Sequence, residues 1–388
     1  MRLADRMSRL GMESAFHVLE AARQLEAQGR QIVHLEIGEP DFDTPAHIVA
    51  AARCALDRGE THYVPAPGLA ELREAVASFL AERRRLNVSP SQVVVTPGAK
   101  PILFYTIMAL CQQGDEVLYP DPGFPMYESI AAFAGATPVP VPLRATNEFV
   151  IDPEELASLV TPRSRLLILN FPHNPCGSAA SRADLERIAE IALENDLLVL
   201  SDEVYWATSY EHPHASIVDV PGMPERTVLL DGWSKTFAMT GWRLGFGVLP
   251  SPLVEPVTRL IINSVSCTAA FAQRAAIAAL TGPWQPVDDM VAEFRARRDL
   301  IVAGLNALDG ISCSTPGGAF YVFPSVSALG LSAEEAQEQL LARAGVACLA
   351  GTSFGRGGEG HLRLSYATSR ANIQQALDAI TANLRHLA

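Results

Sequence analysis

Thr227-Val228-Leu229-Leu230-Asp231-Gly232-Trp233-Ser234-Lys235 is a compact apolar run that ends in a polar turn carrying a lysine. It is one of six such runs. The others are Val93-Val94-Val95, Glu116-Val117-Leu118-Tyr119, Leu166-Leu167-Ile168-Leu169, Leu197-Leu198-Val199-Leu200 and Leu244-Gly245-Phe246-Gly247-Val248. Helical patterns such as Ala183–Asn195 separate several of them. Continuous apolar strands alternating with helices predict an α/β unit whose mostly parallel sheet is flanked by helices on both faces.

Working outward, the N-terminal third predicts helices at 12–29, Pro45–Arg58 and Leu69–Arg84, with a short strand over Ile32–Gly38. Helices dominate from Ala269 to Leu308. Beyond them, strand patterns at 319–323 and 361–365 lie beside helices at 332–344 and 370–386. This predicts a smaller α+β domain. The expected division is 1–45 as a segment joining the small domain, 46–279 as the large domain and 280–388 as the small domain.

The chain has 388 residues, 48% of them hydrophobic, and a net charge of -13. That apolar content supports a large core. The acidic balance argues against nonspecific nucleic-acid binding and against an anionic membrane surface. Six scattered cysteines include no CxxC pair and no zinc spacing, so they are expected reduced and without metal. The first residues lead into no long apolar run, which predicts neither a signal peptide nor a membrane span and a cytoplasmic protein.

The polar residues with chemical potential follow the apolar strands: Gly98, Ala99 and Lys100, then Phe124, Asn174, Asp202 and Lys235. Ligands of α/β sheets bind at the carboxyl ends of strands, so these five loops are expected to converge. Lys235, in the apolar context Trp233-Ser234-Lys235-Thr236-Phe237, suits imine formation with an aldehyde, since desolvation favours the neutral amine. Arg243, eight residues on, suits bidentate binding of a phosphate. An aldehyde and a phosphate on one molecule point to pyridoxal 5'-phosphate.

Each neighbour has a plainer reading beside the functional one. Asp202 is a helix N-cap or a carboxylate facing a pyridinium nitrogen. Tyr205 is a half-buried core tyrosine or a donor to the ring's phenolic oxygen. Asn174 belongs to an ordinary turn, Asn170 to Gly177, or shares that oxygen and touches substrate. Gly98-Ala99-Lys100-Pro101 is a strand–helix turn or a phosphate seat. Phe124 is core or stacks on a flat ring. Arg363, in an apolar strand, pairs with a structural carboxylate or grips a substrate carboxylate. Gly355-Arg356-Gly357-Gly358-Glu359-Gly360 spells GxGxxG but lacks a strand before it and a helix after it, so it reads as a flexible loop before a strand rather than a dinucleotide site.

In this order, the motifs resemble the fold-type I pyridoxal phosphate enzymes, above all the class I/II aminotransferases. The resemblance runs from about Leu35 to Thr368. Ile37-Gly38-Glu39-Pro40-Asp41-Phe42 resembles the segment whose glycine amide, here Gly38, meets the substrate carboxylate. Thr61-His62-Tyr63 resembles the segment whose tyrosine reaches the phosphate of the partner subunit. Asn174-Pro175-Cys176-Gly177, Asp202 with Tyr205, Ser234-Lys235, Gly241-Trp242-Arg243-Leu244-Gly245 and Arg363-Leu364-Ser365 complete the pattern. The resemblance implies a homodimer with shared active sites that moves an amino group from an L-amino acid to a 2-oxo acid, with Lys235 as imine lysine and general acid/base. A β-lyase, decarboxylase or racemase on the same fold is the alternative. Three positions depart from the pattern. Gly232 stands where several branches carry a phosphate-binding serine, Phe124 where Tyr or Trp is frequent, and Pro101 where Gln is frequent.

Overall fold

The computed structural model describes residues 2–11 and 14–387. Met12 and Glu13, at the start of the first expected helix, lie outside the described residues; the helix itself is Ser14–Ala27. It leads to a two-residue strand, β1 (Val33–His34), shorter than expected. Helices Ala46–Asp57 and Ala70–Arg84 follow.

The central sheet contains β2 (Val93–Thr96), β3 (Glu116–Asp121), β4 (Thr137–Pro142), β5 (Ser164–Asn170), β6 (Leu198–Asp202), β7 (Thr227–Gly232) and β8 (Gly245–Val248), in the order β2-β8-β7-β6-β5-β3-β4. Only β8 runs against the rest, antiparallel to both β2 and β7. Side chains alternate between two cores. Val94, Val228 and Leu230 pack on one face, with Ile102 and Leu103 of the helix Lys100–Leu110. Val93, Val95 and Leu229 pack on the other, with Leu72 and Val76 of Ala70–Arg84. A sheet covered on both faces needs apolar residues at consecutive positions, which is why these strands lack alternation. Each fully buried Val or Leu contributes about 1.5–3 kcal/mol.

One strand escaped the sequence reading. β4 spells Thr137-Pro138-Val139-Pro140-Val141-Pro142, and three prolines argue against a strand. It is the sheet edge, bonded only to β3. An edge strand has one side with no ladder partner, so every second residue spares its N–H.

The second unit is built from β9 (Tyr321–Val322), β10 (Val346–Ala347), β11 (Leu349–Ala350) and β12 (Leu362–Ser365). β11, β12 and β9 form an antiparallel sheet. β10 pairs in parallel with β1, Val33 opposite Val346. Val33 and Leu35 share a core with Phe320, Leu364, Ile301 of the helix Gln285–Asn306 and Ile373 of the helix Arg370–Leu387. Among the described residues, no helix is long and apolar enough to cross a membrane. All six cysteines are free, and no cluster of described residues offers a metal site.

Candidate active site

Parallel pairing sets the carboxyl ends of β5, β6 and β7 side by side, with Asn170 opposite Asp202 and Asp202 opposite Leu230. A cavity of about 410 Å³ opens there. Gly38, Ala99, Lys100, Phe124, Asn174, Asp202, Tyr205, Ser234, Lys235, Arg243 and Arg363 all line it. Gly98 does not line it but packs against Arg243, which does. Tyr63 does not line it and is 88% exposed.

Lys235 sits on a one-turn helix, Trp233–Thr236, directly after β7. Trp233 anchors that turn. Its indole N–H donates to Ala276 O at 3.2 Å and its ring meets Phe246 edge-on. The amine of Lys235 donates to Gly38 O and lies 5.9 Å and 5.7 Å from the ring centres of Tyr205 and Phe320.

Asp202 ends β6 and is buried. Its Oδ2 accepts from the Tyr127 hydroxyl at 2.8 Å and its Oδ1 from Val204 N–H at 3.4 Å. It caps no α-helix. Burial pushes its carboxyl up to about 6; the Tyr127 hydrogen bond, the Val204 amide and the charge of Lys235 pull the other way. The side-chain amide of Asn170 donates to Asp202 O at 3.0 Å, while its Oδ1 accepts Asn174 N–H at 2.9 Å. Asn170 thus fixes the turn that presents Asn174. The Tyr205 hydroxyl is 2.7 Å from that of Tyr321, and burial holds its phenol well above the usual range, so it remains protonated.

Another wall of the cavity is built by close backbone approach. Gly98 has φ +88°, and a Cβ there would stand 2.3 Å from Arg243 Nη2. A Cβ on Gly245 would stand 2.3 Å from Ala99 N. Arg243 is held by a bond from Nη1 to Thr240 O at 2.8 Å. At Gly232 a Cβ would press to 3.0 Å from Leu244 O. A guanidinium against a helix start, with the Ser234 hydroxyl lining the same cavity, is a donor set that fits a phosphate.

Arg363 is 4% exposed in β12. Nη1 donates to Asn174 Oδ1 at 3.0 Å and Nη2 to Glu36 O at 2.5 Å. The rings of Tyr321 and Phe354 lie 4.4 Å and 4.8 Å from its guanidinium carbon.

The sequence reading missed three contributors. Tyr127 lies three residues after Phe124, in the first turn of the helix Met126–Ala134; only that spacing hinted at it. Tyr321 was seen as a strand residue and nothing more. The third is a buried charge network behind the strand ends. Arg84 pairs with Glu203 and, at 3.2 Å, with Asp231. Glu203 also accepts from Ser201 at 2.7 Å and Ser216 at 2.8 Å and meets His214 at 2.9 Å. Arg84 lies 119 residues from Glu203 and 147 from Asp231 along the chain, so no local pattern reveals it.

The family model for aminotransferase class I and II matches residues 30–380. The chain is similar to aromatic-amino-acid aminotransferase 2 of Thermococcus litoralis, 41% identical over 97% of each chain. It is similar to aspartate aminotransferase of Pyrococcus abyssi, 40% identical over 99% of each. Among solved structures, aspartate aminotransferase from Thermus thermophilus with maleate is 38% identical, with a TM-score of 0.94 over 98% of this chain and 100% of that one. The chain therefore belongs to the class I and II aminotransferases, enzymes of pyridoxal phosphate-dependent amino-group transfer.

Proposed function

We propose that this site holds pyridoxal 5'-phosphate on Lys235 and serves transfer between an L-amino acid and a 2-oxo acid. The observation that carries the reading is one cavity lined by the Lys235 amine, the buried Asp202 carboxylate and the two guanidinium groups of Arg243 and Arg363. When bound, the cofactor supplies an electron-withdrawing ring that makes the substrate's α-proton acidic. Lys235 Nζ would take that proton as base and return it as acid to the cofactor's carbon. Asp202 keeps a proton on the facing ring nitrogen, and Tyr127 keeps Asp202 ionised. Asn174 and Tyr205 donate to the phenolic oxygen. Gly98, Ala99, Lys100, Ser234 and Arg243 hold the phosphate; with Gly232 cramped, the nearby hydroxyl is that of Ser234. Arg363, Gly38 and Asn174 orient the substrate carboxylate, and Phe124 flanks the ring.

Tyr63 is assigned to the phosphate of a second copy in a cytoplasmic homodimer, which its exposure permits. Residues 46–279 are read as the large domain and 280–388 as the small one. The β1–β10 pairing supports joining 1–45 to the latter. Relatives named for aspartate and for aromatic amino acids set the first donors to try. Phe16, Ile37 and Leu103 in the cavity lining favour an apolar side chain.

The test is visible absorption of the reconstituted protein against aspartate, aromatic and aliphatic amino acids and the matching 2-oxo acids. The expected result is a band that changes with a donor and returns with an acceptor. No reversible change across the panel rejects the reading. Lys235→Ala is expected to abolish the lysine-bound band, and its persistence rejects the assignment of Lys235.

A further inference from the structure

The glycine-rich stretch 355–360, expected as a flexible loop, does precede a strand, but it is fastened. It closes around Asp121, the last residue of β3. Gly357 N–H donates to Asp121 Oδ1 at 3.0 Å. Two residues along, Gly123 N–H donates to Phe354 O at 2.7 Å. A Cβ on Gly355 would stand 2.0 Å from Asp121 Oδ1, and one on Gly357 would stand 2.7 Å from Asp121 O. Gly355 also has φ +120°, a conformation that side chains other than glycine's rarely adopt. Gly355 and Gly357 are thus accounted for by backbone wrapped onto one aspartate.

Both strands of this clasp lead to the cavity. On the β3 side, Gly123 is followed by Phe124, which lines it. On the other, Phe354 immediately precedes Gly355, and its ring lies 4.8 Å from the Arg363 guanidinium carbon. A planar guanidinium against aromatic rings keeps its orientation through stacking, so the position of Phe354 bears on where Arg363 points.

We infer that Asp121 is a positioning residue: by clasping the strap 354–357 it fixes Phe354 against Arg363 and thereby sets how the arginine meets a substrate carboxylate. The inference rests on the reading of Arg363 as the carboxylate grip.

The test uses the holoenzyme. Asp121→Ala is expected to raise KM for both amino donor and 2-oxo acceptor by about five- to tenfold, the scale of one lost hydrogen bond, with kcat within about twofold. Asp121→Asn retains an oxygen that accepts Gly357 N–H, and KM is expected to return near that of the unaltered enzyme. Trypsin is expected to cut after the exposed Arg356 faster in Asp121→Ala than in either of the others. Gly357→Ala presses on the clasp from the other side and should reproduce both effects, which covers poor folding of Asp121→Ala. Unchanged KM in Asp121→Ala and Gly357→Ala overturns the inference, even if thermal stability falls. Arg363→Ala separates the two readings. Raised KM there with unchanged KM in Asp121→Ala rejects the clasp alone; unchanged KM in Arg363→Ala rejects the carboxylate grip and the clasp's role with it.

Discussion

The hydroxyl of Tyr127 donates to Oδ2 of Asp202 at 2.8 Å, with both residues buried at the wall of the cavity. The bond favours the ionised carboxylate, against burial that raises Asp202 to about 6. In Tyr127→Phe the carboxyl therefore rises further, by about one pKa unit for a hydrogen bond to a charged group worth roughly 1.5 kcal/mol. Cofactor binding that uses the carboxylate should weaken as pH falls through about 6 in the unaltered protein, and from a higher pH in the variant. Titration of the apoprotein with pyridoxal phosphate at several pH values checks this; an unmoved midpoint removes Tyr127 from the account.

The same group gives the apoprotein a slope of stability with pH. Asp202 lies at about 6 when folded against a model value of 3.8, so between these values the folded state holds the extra proton. Its contribution is fully present below about 3.8 and is lost as pH rises through about 6, a change on the order of 3 kcal/mol. Asp202→Asn should flatten that part of the curve, measured by urea unfolding from pH 4 to 7. Parallel curves for the two proteins would contradict it.

Gly98→Ala inserts a methyl group 2.3 Å from Arg243 Nη2 at φ +88°. Displacing the guanidinium and straining the backbone by about 1–2 kcal/mol should weaken pyridoxal phosphate binding by roughly tenfold or more. Affinity for unphosphorylated pyridoxal should change far less. Equal losses for the two ligands would place the phosphate elsewhere.

Asn174→Asp puts a carboxylate where Arg363 now donates to an amide oxygen at 3.0 Å. The arginine would be held by an internal ion pair in competition with substrate. KM for amino acids should rise by about tenfold or more, and raised salt should ease it only slightly because the pair is buried. A KM equal to that of the unaltered enzyme would separate Arg363 from substrate binding.

Arg84→Met leaves Glu203 and Asp231 buried without their cation. The expected loss is about 3–5 kcal/mol, read from urea unfolding of the apoprotein. A loss below about 1 kcal/mol would mean that His214 and the serines suffice for Glu203.

Most of the sheet was legible because burial on two faces writes itself as uninterrupted apolar runs. Strand ends then gave Asp202, Asn174 and Lys235 by adjacency alone. β4 was hidden because its prolines obey a rule of sheet edges, and edge position is known only after the order of strands. Tyr127 and Tyr321 were hidden for another reason. An aromatic residue supplies both apolar bulk and a hydroxyl, and sequence does not say which is used. Arg84 lies at the end of the helix Ala70–Arg84 and finds its partners just after β6 and near the end of β7, so nothing local marks it.

The lone reversed strand, β8, has a consequence for how a ligand is retained. Because β8 begins where β7 ends, Lys235 and Arg243 emerge at the same rim although seven residues lie between them. A molecule gripped by both closes a ring through the protein, in the manner of a chelate. With Lys235 holding the cofactor as proposed, amino-group transfer requires it to let go, and a ligand tethered at its other end would stay at high effective concentration for recapture. On that proposal, the reversal of one strand would let the enzyme release its reagent chemically without losing it to solvent.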